Sequence, residues 1–151
     1  MERSSRLLLL FSLAGFAAVI GLGTIRASPA HLALDTTPEV IRSFQAFHAH
    51  FDALVWLGAA ALGAVLGRLA PAYRGPAWAP RLLAPAYAAG AVIFSCSYAL
   101  RGLGLRFGVA GLARPVAPVL ASIGGLLLLA AAGSALAIGW ALWRAGPDGE
   151  A

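Results

Sequence analysis

Three side chains with chemical potential fall within five residues of one another: His48, His50 and Asp52, near the start of the run Phe44–Arg68, FQAFHAHFDALVWLGAAALGAVLGR. Imidazoles bind iron, copper or zinc, and they exchange protons near neutral pH. On a helix, residues four apart share a face, so His48 and Asp52 are expected to be neighbours. The Asp52 carboxylate would then accept the His48 ring N–H, fixing the tautomer and raising the basicity of the far nitrogen. That pairing suits an axial haem or metal ligand, and it equally suits a proton-handling pair. His50 stands two residues on, about 200° round a regular helix, so the two imidazoles point to opposite sides. A purely structural alternative leaves both histidines solvated among lipid headgroups, with Asp52 paired to Arg42 or Arg101. His48, His50 and Asp52 are therefore the candidate cofactor-binding residues, His48 and His50 being the candidate metal ligands, and no catalytic residue is identified. The third histidine, His31, reads as a solvated loop residue, with a distal-ligand role as the lesser alternative.

The elements that must position this cluster are membrane spans. Of the 151 residues, 60% are hydrophobic and 11% charged, whereas soluble domains carry about a quarter charged residues. Several apolar runs reach the ~20 residues needed to cross a bilayer core. The fold class expected is all-α, a four-transmembrane-helix bundle forming a single membrane domain over residues 1–151, with spans near 7–25, 44–67, 81–100 and 116–143. Residues 7–25 follow a basic head, MERSSR, in the manner of a signal peptide. The run exceeds the usual 7–15-residue signal core, so an uncleaved span is expected, with cleavage near Ala27–Ala30 as the alternative.

Thr37-Pro38-Glu39 supplies a hydroxyl cap, a proline at the first helical position and a carboxylate at the positive helix end. The second helix is thus expected to begin near Pro38, after an exposed loop within 26–43, and to run to about Gly67. Leu69–Pro80 is a Pro- and Gly-rich connection with the interfacial aromatics Tyr73 and Trp78. Arg101–Pro115 is basic and glycine-rich and is expected to lie along the interface, and a disordered tail is expected at 145–151. Gly58, Ala59, Gly63 and Gly67 on the second helix, and Gly124, Gly125, Gly133 and Ser134 on the fourth, are expected at close helix contacts. Cys96, the only cysteine, excludes an intrachain disulfide and a Cys-X-X-Cys pair; it reads as a small buried thiol.

All 11 basic residues are arginine, the usage of a GC-rich genome, and net charge is +5. The arginines sit between apolar runs, where they set topology and meet anionic headgroups rather than nucleic acid. Six of them (Arg3, Arg6, Arg68, Arg74, Arg81, Arg144) fall on one side of the four spans and five on the other. This predicts both termini in the cytoplasm of a bacterial inner membrane, with the His-Asp cluster toward the outer face.

The run His48-Ala49-His50-Phe51, continuing through Leu54, Trp56, Leu57 and Gly58, resembles the His-X-His helix of haem-copper oxidase and nitric oxide reductase subunit I. In layout and length the chain is more similar to small four-helix bacterial membrane proteins with a His-Ala-His-Leu opening. The likeness to the large enzymes covers about a dozen residues. It implies an axial haem role for His48 or His50, and the register does not choose between them. No histidine follows His50, so a complete haem-copper centre is excluded within one chain. Bis-histidine ligation would need His31, the second histidine of the cluster on a distorted helix, or a second copy related by a twofold axis.

The function expected from these residues is a small membrane redox or accessory subunit related to respiratory oxidases, binding haem b or copper through His48 and/or His50 and oriented by Asp52. Its expected partners are the lipid bilayer and a homodimer or larger respiratory complex. The alternative is a non-catalytic membrane subunit or assembly factor with no cofactor. A transporter is a weaker reading, because only Ser95, Ser97, Tyr98, Ser122 and Ser134 could line a polar path. No nucleophile–base pair recommends a hydrolase, and an enzyme acting alone is not expected.

Overall fold

The computed structural model describes residues 1–26, 37–108 and 110–145. Helix α1 spans Glu2–Arg26, α2 Pro38–His50, α3 Ala59–Leu69, α4 Trp78–Arg106 and α5 Ala110–Arg144. Between α2 and α3 the chain winds as a π-helix over Phe51–Gly58, and a short 3-10 turn, Ala70–Ala72, follows α3. The second span is therefore one rod of changing pitch. The architecture is an all-α four-helix bundle. Glu2–Gly21, Pro38–Ala72, Trp78–Arg106 and Gly111–Arg144 are each long and apolar enough to cross a membrane. Residues 27–36 of the expected loop, with the alternative cleavage site, His31 and Asp35, lie outside the described residues, as does the tail beyond Ala145.

Helix α2 starts where its cap dictates: Thr37 Oγ1 accepts the Val40 N–H at 3.4 Å, and Pro38 opens the helix. The third span, α4, is longer than its apolar run. It begins at Trp78 and continues through Arg106, because the basic stretch from Arg101 extends α4 instead of lying along the interface. The chain then reverses near Phe107–Gly108, where Phe107 N–H still bonds Leu103 O at 2.9 Å. Gly108 has φ +69°, a left-handed conformation that glycine adopts without the Cβ penalty. Helix α5 restarts at Ala110 and carries Pro115 and Pro118 within its first turns.

Helix α1 docks on the second span, α2 lies against α4, and α5 packs chiefly on α4. Lipid supplies no hydrophobic drive between helices, so closeness depends on small residues and interhelical hydrogen bonds. Ser5 and Ser12 of α1 donate to Gly63 O at 2.7 Å and Trp56 O at 2.9 Å, and Ser4 donates to Pro80 O at 2.6 Å. Gly15 lies against Val55, where an added Cβ would come within 2.7 Å of Val55 Cγ1. Helices α4 and α5 meet at Gly90 and Gly124, and a Cβ on Gly124 would fall 2.6 Å from the Phe94 nitrogen. Of the other glycines expected at contacts, Gly125 and Gly133 face open space, with nothing within 4 Å of where a Cβ would stand. Cys96 corrects the sequence reading: it is exposed on the outside of α4, because that face of the helix has no neighbour and apolar lipid accepts the thiol as readily as a core would.

Candidate functional site around His50

The π-helical segment begins immediately after His50 and carries Asp52 in its first turn. It winds i→i+5, with slightly more than four residues to a turn, so His48 and Asp52 still stand about one turn apart. Among the described residues no hydrogen bond joins them, and Asp52 Oδ1 is buried without a partner. Nor does Asp52 form an ion pair with Arg42 or Arg101 among those residues. A carboxylate in an apolar segment is expensive unless it faces a partner or a wet cavity, so this unpartnered oxygen marks the segment as chemically unusual.

Winding also exposes backbone carbonyls to side chains of other helices. Tyr87 of α4 donates its hydroxyl to Leu54 O at 2.8 Å, and Ser12 of α1 donates to Trp56 O. Gly58 makes room for the first of these, because a side chain there would collide with the Tyr87 hydroxyl. On the other flank Trp56 packs against Phe16, with ring centroids 4.9 Å apart. The π segment is thus held from both sides, by α1 and by α4.

The two histidines have different surroundings. His50 is half-buried and faces α4, its ring stacked on Tyr98 at 4.7 Å and 10°, with Phe94 edge-on at 5.3 Å. Its Nδ1–H donates to Ala46 O at 2.7 Å, the tautomer in which a carbonyl acceptor is satisfied. This leaves Nε2 carrying the lone pair, so His50 is both oriented and able to accept one bond. His48 is half-buried on the other side of the helix, edge-on to Phe47 at 5.8 Å. Among the described residues no hydrogen bond orients its ring.

Together these positions supply one preorganised imidazole, with a carboxylate that has one buried, unpartnered oxygen two residues further along the chain. They do not converge on a single ion: among the described residues no three His, Cys, Asp or Glu side chains could hold a metal. A haem asks the protein only for axial ligands, because the porphyrin supplies the others, whereas a copper site draws its ligands from the protein.

Sequence reasoning passed over several residues that build this site. Tyr87, Phe94 and Ser12 position the second span, and their signal was faint: Ser5 and Ser12 stand seven apart in α1, close to two helical turns. The serines considered for a polar path do not form one. Ser97 and Ser134 bond to carbonyls of their own helix, and Ser122 is exposed. Ser95 is buried with its hydroxyl unpartnered. No protein-family model, curated protein or solved structure matches the chain.

Proposed function

We propose that the chain is a membrane redox or accessory subunit that presents His50 as one axial ligand to haem b. The observation that carries this reading is the His50 Nδ1–H···O=C bond to Ala46, 2.7 Å long. Ligating histidines commonly make this second contact, which fixes the tautomer and strengthens the free nitrogen as a donor. Haem, when bound, supplies one-electron chemistry. The residues of this chain hold and tune it. Ala46 O accepts the Nδ1 proton, so that in the neutral ring the lone pair lies on Nε2, Tyr98 and Phe94 limit ring rotation, and the Asp52 carboxylate would favour the more positive, oxidised iron. A second axial ligand would come from His31 or from a second copy of the chain. The resemblance of His48-Ala49-His50-Phe51 to the His-X-His helix of haem-copper oxidase subunit I points the same way. The inner-membrane placement with both termini cytoplasmic belongs to this proposal.

A second reading has its own observation. The His50 ring is already packed on Tyr98 and hydrogen-bonded, an arrangement that also suits a non-catalytic subunit or assembly factor with no cofactor. A visible absorption spectrum of detergent-purified protein, oxidised and dithionite-reduced, separates the two. We expect a Soret band and a sharp reduced α-band, abolished by His50→Ala and retained by His48→Ala, with Asp52→Asn raising the midpoint potential. Colourless protein from haem-replete cells refutes haem binding. A spectrum lost in His48→Ala but kept in His50→Ala refutes the assignment of the ligand.

A further inference from the structure

At the end of the bundle away from His50, beside the Ser4–Pro80 hydrogen bond that joins the first turns of α1 and α4, lies an open groove of about 920 Å³. Arg81 and Tyr98 are 17 residues apart on α4, which at ~1.5 Å per residue separates the groove from the His50 site by roughly 25 Å. Arg3 of α1 and Arg81 of α4 line the groove, and both are exposed. Among the described residues neither has an ion-pair partner. The acidic side chain nearest in sequence is Glu2, also exposed, and it is not part of the lining. Tyr73 lines the groove as well; it donates its hydroxyl to Pro76 O at 2.8 Å, and burial pushes its phenol pKa up, so it stays neutral.

Beyond the arginines the groove wall is apolar: Leu7, Leu8 and Phe11 on one helix, Ala84, Pro85 and Ala88 on the other. These residues lie progressively deeper along two membrane-crossing helices, so the groove changes from cationic to hydrocarbon-like along the direction in which a lipid changes from headgroup to acyl chain. Pro85 adds a polar detail. It has no amide hydrogen, so the carbonyl of Arg81, one turn earlier, lacks its helical donor. The cationic end of the groove offers two guanidinium groups.

We infer that this groove is a specific site for an anionic glycerophospholipid, with its phosphate held between Arg3 and Arg81 and an acyl chain lying along Leu7, Phe11, Pro85 and Ala88. Paired guanidinium groups match phosphate oxygens bidentately. The inference is independent of the haem reading, since the two sites share no residue.

The test is native mass spectrometry of the full-length chain in detergent, titrated with phosphatidylglycerol and, separately, phosphatidylcholine of the same chains. One phosphatidylglycerol per chain should be retained in preference to phosphatidylcholine. Each arginine near an anionic headgroup contributes about fivefold, so Arg3→Gln with Arg81→Gln should weaken retention by about twenty-fivefold. Ala88→Trp, which fills the apolar part and leaves both charges, should also displace the lipid, whereas Arg74→Gln outside the lining should not. Equal retention of the two lipids by the unaltered chain overturns the proposal whatever the variants do. So does undiminished phosphatidylglycerol binding in the double variant, or displacement by millimolar inorganic phosphate, which would make the groove a free-anion site.

Discussion

Replacing one of two adjacent glycines on α5 should destabilise the bundle, and replacing the other should stabilise it. A Cβ on Gly124 would sit 2.6, 2.8 and 2.9 Å from the Phe94 N, Cα and Cβ atoms, whereas a Cβ on Gly125 meets nothing within 4 Å. The closest of these falls 0.8 Å short of ordinary contact at 3.4 Å, and two of the obstructing atoms are backbone. They cannot rotate away, so α4 and α5 must separate. Overpacking of this kind costs about 1–3 kcal/mol, and a gap of 0.5–1 Å also forfeits roughly a quarter to a half of the dispersion energy of nearby contacts. Opposing this is the helix propensity gained in passing from glycine to alanine, about 1 kcal/mol. Gly124→Ala should therefore be net destabilising by up to about 2 kcal/mol, and Gly125→Ala stabilising by about 1 kcal/mol. The measurement is reversible unfolding in mixed micelles with increasing dodecyl sulfate, followed by circular dichroism. Because α5 is held chiefly by α4, a cross-link between cysteines placed across the two helices should weaken in parallel. If Gly124→Ala is as stable as Gly125→Ala, the close crossing at Gly90 and Gly124 is not the α4–α5 contact.

Two further outcomes follow from the π-helical segment. Tyr87→Phe removes the hydroxyl that serves the part-buried Leu54 O and should destabilise the protein by about 0.5–1.5 kcal/mol in the same assay; an unchanged midpoint would mean that another donor serves this carbonyl. Asp52→Asn relieves a buried, unpartnered carboxylate oxygen and should stabilise the fold by about 1–2 kcal/mol, while shifting any bound haem potential upward. Destabilisation by Asp52→Asn would reveal a cationic or hydrogen-bonding partner for Asp52 beyond the described residues.

The sequence by itself determined the class of the protein. Four apolar runs of bilayer length leave no other arrangement for the backbone, because a chain in hydrocarbon must satisfy its own N–H and C=O groups. It also determined where the second span starts, since Thr37-Pro38-Glu39 is a local signal whose hydrogen bond forms within one turn. Helix lengths were less legible. Arg101–Arg106 reads as an interfacial stretch yet continues α4, and the backbone reversal waits for Gly108.

Only the tertiary structure decided which way side chains face. In a soluble helix an apolar stripe marks the buried side, but here lipid and protein interior are equally apolar, so periodicity carries little information about burial. Hence Gly124 and Gly125 look alike in sequence and differ completely in contact, and Cys96 reads as buried yet is exposed. The candidate site was legible as a cluster of residue types, His48, His50 and Asp52, and illegible as geometry. Its geometry follows from a π-helical winding fixed by Tyr87 and Ser12 on two other helices. Among the described residues no hydrogen bond joins Asp52 to His48, while the bond to Ala46 O and stacking on Tyr98 make His50 the oriented imidazole. Such long-range anchors lie 33 and 44 residues away along the chain, beyond the reach of any local pattern.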